Sequence, residues 1–394
     1  MRKVTYLLGA GASHNKLPIL REFSDELGGF ANVLKHVIAR SQVFLVNNNN
    51  ILNTEEDILE GQNIPVANNL YTQIHSVIQE LWKHQTVDTL AKKHYLNNNI
   101  SQLQILKNVL SIFFLFKQLI NVNPNPGIVS LIPGYIPDNR YDSFIAALVG
   151  TQKGKFDLPG NVNIITWNYD VQFELAFREY KNDTIAKIQK ENQILPSTAW
   201  YKEDTSSYSS GKFSLIRLNG IIGIKSLKSM EDKLQDTYID DLIARPTINE
   251  LCNIFTDLDK TDELSWEKSI SFFNYNWEYQ YENVGNVYQG YNQIHQYARK
   301  IMENTDILIV IGYSFPIFNR KFDADLIKRL VNNCKHIYIQ DQYPKIIAER
   351  IRSIIPPIAG GPLTGDPVRP GTNIIGITPL EDLNQFYLPN ELTT

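Results

Sequence analysis

Val4-Thr5-Tyr6-Leu7-Leu8-Gly9-Ala10-Gly11-Ala12-Ser13 is the stretch on which the reading of this chain turns. A strand-forming apolar run meets two glycines flanking an alanine, and a serine follows. A buried parallel strand hands over to a helix in this way around an anion. Gly9 is expected to take a positive φ, and Gly11 to let the main chain approach a ligand without a Cβ in the way. Amides at the following helix N-terminus would add N–H donors and a partial positive charge. His14 stands where a third glycine would complete the dinucleotide-binding spacing. By itself the stretch supports a nucleotide site and a plain strand-to-helix turn equally.

Working outward, residues 14–30 are expected to carry the first helix, closed or broken at Gly28-Gly29, while residues 33–46 read as either helix or strand. A polar asparagine loop at 47–50 leads to a helix capped around 53–57. Residues 50–150 read as a helical insertion, broken at Ile64-Pro65 and at 97–99, with a Pro/Gly-rich stretch from 124 to 137 before a short helix over 142–149. Further strands are expected at 162–167, 213–218, 306–311, 336–340 and 373–378, with helices at 171–180 and 323–332. Residues 230–304 form a second helical insertion, rich in tyrosine, and 356–371 a Pro/Gly-rich loop. Short, wholly apolar strands separated by helices predict an α/β fold: a Rossmann-like parallel sheet with helices on both faces, plus helical insertions. The core is then built from residues 1–49, 151–229 and 305–394. Ligands of such sheets sit beyond the carboxyl ends of the strands. Gly9, Asn168, Gly220 and Gly312 all fall at those ends.

Composition narrows the function classes. Of the 394 residues, 43% are hydrophobic and 20% charged, as in an ordinary globular protein, and 11% are aromatic. A net charge of −4 leaves no electrostatic footprint for direct nucleic-acid binding. Cys252 and Cys334, far apart and outside any CxxC pattern, supply neither a four-cysteine zinc site nor a disulfide framework. With no leader-like segment after Met1, the expected location is cytoplasmic. The apolar window 103–120 is interrupted by Lys107, Asn108, Lys117 and Gln118, and reads as a buried or interface helix, not a membrane span.

At the strand ends, Asn168 in Thr166-Trp167-Asn168-Tyr169-Asp170 can donate and accept, which suits a sugar hydroxyl or a positioned water. Asp170 is better suited to capping the next helix. Gly312-Tyr313-Ser314 offers amides and a hydroxyl to a nucleotide, or is a simple turn.

Taken together, Gly9-Ala10-Gly11-Ala12-Ser13, Asn168-Tyr169-Asp170, Asn219-Gly220 and Gly312-Tyr313-Ser314 resemble the sirtuin superfamily over residues 1–345. The Asn-Tyr-Asp and Gly-Tyr-Ser forms look more like the bacterial sirtuin-like proteins of anti-phage defence and abortive infection than the deacetylases. The missing cysteine quartet agrees with that branch, and disfavours a zinc-dependent deacylase. The resemblance implies NAD+ as substrate or bound ligand, no zinc, and hydrolysis to nicotinamide and ADP-ribose. It implies a homo-oligomer with a partner such as a HerA-type ATPase or a short Argonaute. Carried over, Gly9, Ala10, Gly11 and Ser13 would hold the pyrophosphate, and Asn168 the nicotinamide ribose or the water. Gly312 and Ser314 would face the adenosine side, with Gln340 or Asp341 near the adenine or its ribose. Where the family has a catalytic histidine, this chain has Asn219. A carboxamide does not titrate near neutral pH, so Asn219 cannot serve as a general base. An inactive form, another base (His14 or Asp170), and binding without turnover by a sensor subunit all remain open.

Overall fold

The computed structural model describes residues 1–19, 22–46, 58–84, 87–122, 131–132, 135–150, 156–196, 211–223, 237–259, 285–355 and 375–392. Its centre is β1 (Val4–Leu8), every residue of which is buried. On one side β1 pairs with β4 (Val162–Thr166), and on the other with β7 (Ile307–Ile311), both in parallel. β6 (Ser214–Arg217) and the two-residue β5 (Ile194–Leu195) extend the sheet beyond β4. β8 (His336–Gln340) and β9 (Gly376–Leu380) extend it beyond β7. The order β5-β6-β4-β1-β7-β8-β9 is that of a seven-stranded, fully parallel sheet. A separate short ribbon joins β2 (Asn121–Val122) to β3 (Leu131–Ile132).

The α/β fold expected from the strand pattern is therefore present. Alternate strand residues feed opposite faces. Val4, Tyr6, Leu8, Ile164 and Ile309 belong to one core, with Phe144 and Phe173 from the helices α5 (Asn139–Leu148) and α6 (Gln172–Lys181). Leu7, Ile165, Leu308 and Val310 belong to the other core, under α1 (Phe23–Val46), α2 (Asn63–Leu81), α3 (Val87–Leu96) and α4 (Ile100–Leu119). Burying each such side chain is worth ~1.5–3 kcal/mol, which explains strands with no polar face.

The expected helix over 14–30 is not the one formed. A 3₁₀ turn, Ala10–Ser13, follows β1, and α1 begins only at Phe23. Pro18 has no amide to donate and disfavours helical backbone at Leu17, so the chain turns there instead. Gly28 and Gly29, expected to break the helix, lie inside α1. Leu27, Phe30, Ala31, Leu34 and Val37 give α1 a continuous buried stripe, whose burial outweighs ~1 kcal/mol of lost propensity per glycine. Residues 33–46 are thereby helical.

α2 starts two residues before Pro65, and residues 97–99 separate α3 from α4, as the breaks predict. The apolar window 103–120 is α4 and the residue after it, largely buried under the sheet. No helix among the described residues is long and apolar enough to cross a membrane. The later helices are α7 (Ile185–Glu191), α8 (Tyr238–Ala244), α9 (Ile248–Asp259), α10 (Gly285–Glu303), α11 (Arg320–Arg329) and α12 (Pro344–Ile354). The expected cap at 53–57, the loop at 356–371 and residues 230–236 and 260–284 of the tyrosine-rich insertion fall outside the described residues.

Candidate active site

The chain runs from β1 outward to β5 and β6, then returns across the sheet to β7 on the other side of β1. This reversal splays the connections leaving β1 and β7 apart, which opens a crevice at the carboxyl ends of the strands. A cleft of about 240 Å³ lies there. Ala10, Ser13, Asn168, Asp170, Asn219, Gly312 and Ser314 all line it. Residues from four strand ends, scattered over some 300 positions of sequence, are thus brought together. Gly9, Gly11 and Asp341 do not line the cleft, and neither does Gln340.

The glycines work differently from expectation. Gly9 is extended, with φ −124°, and the strand-end glycines with positive φ are Gly312, at +58°, and Gly220, at +90°. The Gly11 amide donates to the Gly312 carbonyl at 3.0 Å, and the Gly9 amide to that of Ile311 at 3.0 Å. A Cβ on Gly9 would come within 2.6 Å of the Gly312 oxygen, and one on Gly11 within 2.8 Å of the Gly312 Cα. Both glycines therefore admit the neighbouring β7 turn, not a ligand. The Ala12 amide, bonded to the Gly9 carbonyl at 2.9 Å, closes the short turn. The amides of Gly9, Gly11 and Ala12 are thus taken up by backbone carbonyls.

Ser13 is the hub behind the cleft wall. Its hydroxyl donates to Asp170 Oδ2 at 2.7 Å, and accepts from Asn168 Nδ2 at 3.2 Å. The Tyr141 hydroxyl, 3.2 Å away, completes its capacity as the second donor. Asp170 Oδ1 accepts from the Gln172 amide at 3.1 Å, an Asx-type turn leading into α6, while the N-cap position expected for it is taken by Val171. Burial raises the Asp170 carboxyl above its ordinary range, against the Ser13 hydrogen bond and the Arg217 charge that lower it. Arg217, buried at the end of β6, donates from Nε to the Asp170 carbonyl at 2.9 Å and pairs with Glu174 at 2.6 Å. Asp170 is thus fixed on every side.

Asn168 donates from Nδ2 to the Gly9 carbonyl at 2.9 Å, tying the end of β4 to the end of β1. Its amide is held by Thr166 Oγ1 at 3.0 Å. This leaves Oδ1 as the atom it can offer to a ligand. Asn219 is 7% exposed, and its Nδ2 reaches the Tyr169 hydroxyl only at 3.5 Å. Its Oδ1 is buried with no hydrogen-bond partner among the described residues. An orphaned carbonyl oxygen of this kind carries a desolvation penalty of ~1–3 kcal/mol that a bound donor would relieve.

His14 is turned away from this wall: its exposed ring pairs with Glu22 at 3.6 Å and does not line the cleft. Asp341 accepts from the Tyr343 amide at 2.8 Å at the start of α12. Gln340 Oε1 accepts from the Tyr387 amide at 3.0 Å, and its Nε2 donates to the Asp382 and Gln385 carbonyls, holding the C-terminal segment against the sheet.

Several residues have no counterpart in the motif reading. Arg140 donates to the carbonyls of Gly11 at 3.2 Å and Ala12 at 2.9 Å, and pairs with the buried Asp138 at 2.8 Å. It clamps the first turn from α5. Trp167 and Tyr313 stack at 5.9 Å and 17°, and both line the cleft. The Tyr313 hydroxyl donates to Asp323, whose carboxyl burial pushes up to about 8. Asp88, in the first turn of α3, enters the cleft from the helical side.

No family profile, curated protein or solved structure matches the chain.

Proposed function

We propose that this chain is a sirtuin-like NAD+ glycohydrolase of anti-phage defence, releasing nicotinamide and ADP-ribose. The observation that carries the proposal is the convergence of Ala10, Ser13, Asn168, Asp170, Asn219, Gly312 and Ser314 on one cleft at the switch point of a parallel sheet.

The cleft, at about 240 Å³, lies just below the ~300–1,000 Å³ usual for small-molecule pockets. It suits the nicotinamide-ribose half, leaving the adenosine half along the open mouth beside Ser314. Hydrolysis joins a water oxygen to the ribose C1′ while the bond to the pyridinium nitrogen breaks. The bond's electron pair leaves with nicotinamide, which departs neutral, and the water's proton passes to solvent. No acid is needed at the leaving group. The protein's part is to hold the sugar and the water. Asn168 Oδ1 is suited to accept from the water or a ribose hydroxyl. Asn219 Oδ1, already desolvated, is suited to accept from a second hydroxyl.

A second reading, binding of NAD+ or ADP-ribose without turnover by a sensor subunit, is favoured by the state of the two candidate bases. His14 does not line the cleft and Asp170 is committed to Ser13 and the Gln172 amide, while Asn219 does not titrate. Nicotinamide release from NAD+ by the wild type, Asn219→His and Asn168→Ala separates the two. Release by wild type or by Asn219→His, lost in Asn168→Ala, supports the hydrolase. Saturable NAD+ binding with no release by any variant supports the sensor. Assembly into a homo-oligomer, with a HerA-type ATPase or a short Argonaute as partner, belongs to the same proposal. Light scattering and repetition of the assay with such a partner test it.

A further inference from the structure

The lining of the cleft carries a charge pattern that its strand-end motifs do not explain. Among the described residues Asp88 and Asp170 are its ionisable carboxyls, and no lysine, arginine or histidine lines it. Asp170 is tied to Ser13 and the Gln172 amide and lies near the Arg217 charge that Glu174 shares. Asp88 pairs with no basic group among the described residues. Aromatic rings line the same cleft, among them Phe114 and Tyr169, with centroids 6.5 Å apart, and the stacked Trp167 and Tyr313. Aromatic faces attract cations, a nearby unpaired carboxylate adds Coulombic attraction, and partial exclusion of water strengthens both. A phosphate would meet repulsion in the same place.

We propose that Asp88 supplies the counter-charge for a cationic ring seated in this cleft, so that the site selects an N-substituted pyridinium over its neutral counterpart. That the ligand is cationic rests on the lining, and that the cation is a pyridinium rests on the NAD+ reading above. The orphaned Asn219 Oδ1 is the independent sign that a ligand belongs here. Burial raises the Asp88 carboxyl to about 6, which leaves it largely ionised at neutral pH. Of the groups around it, Tyr313 keeps its proton, Asp323 behind it on α11 is pushed up to about 8 and is largely protonated at neutral pH, and Arg350 of α12 donates to the Ser314 carbonyl.

Asp88 also sits where an acidic side chain favours a helix start, in the first turn of α3. That role alone would change stability and leave ligand preference untouched. The selection is a ground-state effect. A carboxylate that holds the pyridinium tightens the substrate but gives nothing back when the ring loses its charge. Asp88 is therefore a specificity residue and not a catalytic one.

The test is calorimetric titration of 1-methylnicotinamide, a cation, and of nicotinamide, its neutral relative, into wild type, Asp88→Asn and Asp88→Glu, with NAD+ titrated in parallel. Unfolding curves confirm that each variant is folded. The expected result is about tenfold weaker binding of the cation by Asp88→Asn. Nicotinamide affinity stays unchanged, and Asp88→Glu retains most of the preference. Failure of the cation to bind wild type, or an equal loss of both ligands in Asp88→Asn, overturns the proposal. If NAD+ binds while the cation preference is absent, the counter-charge is wrong and the NAD+ reading stands. If the cation binds through Asp88 and NAD+ does not, the counter-charge stands and the NAD+ reading falls.

Discussion

Gly312 is pressed against Gly11: a Cβ on Gly312 would come within 2.4 Å of the Gly11 carbonyl carbon. Gly312 is also left-handed, with φ +58°. Gly312→Ala therefore meets backbone strain of ~1–2 kcal/mol and a clash with main chain that cannot swing aside. It is expected to lower the unfolding free energy read from urea curves by at least that amount and to weaken ligand binding, because the clash separates the two turns that frame the cleft. Gly28→Ala is the control. Nothing lies within 4 Å of its Cβ position inside α1, so it is expected to gain up to ~1 kcal/mol.

Asn219 offers a test in which stability and function move oppositely. Its buried Oδ1 has no partner, so Asn219→Leu, similar in size, removes a desolvated acceptor. The variant is expected to be as stable as wild type or more stable by ~1 kcal/mol, while its affinity for NAD+ falls. Denaturant unfolding and calorimetry read the two effects separately. A destabilised variant with unchanged affinity would assign Asn219 to the scaffold.

The pH dependence of stability should carry the mark of His295. This ring on α10 is buried against Phe322, and its Nε2 lies 3.4 Å from the Leu218 carbonyl, next to Asn219 in sequence. Burial lowers it from 6.5 to about 4. The unfolded chain therefore binds more protons than the folded one between pH 6.5 and about 4. By linkage, stability is full above the unfolded value and is lost as pH falls through that window, by ~3 kcal/mol. His295→Gln is expected to flatten this part of the curve, as urea unfolding at a series of pH values would show.

The strands were legible because their physics is local. Ile307–Ile311 is apolar at every position, and such a run, bounded by a glycine, reads as a strand buried on both faces. β5 was not, since two residues give no pattern and its pairing is supplied by β6. The positions of Asn168, Asn219, Gly312 and Ser314 in one cleft were legible because parallel sheets gather strand ends. What the glycines do there was not. That Gly9 and Gly11 make room for Gly312 depends on a chain segment some 300 residues away. Asp138 and Arg140 were equally hidden, because a buried ion pair that clamps the carbonyls of Gly11 and Ala12 leaves only an ordinary helix start in the sequence. Asp88 reaches the cleft from the helical side, outside every motif.

The claim at the centre of this account is that the cleft between the ends of β1, β4, β6 and β7 binds NAD+. Calorimetric titration of NAD+ into the wild-type protein and into Asn168→Ala tests it most directly, with circular dichroism confirming that both are folded. The account predicts one saturable site per chain in the wild type, weakened at least ~10-fold by the substitution, since Asn168 both faces the ligand and ties the β4 end to Gly9. No saturable binding by the wild type, or equal affinity in the two proteins, would contradict it.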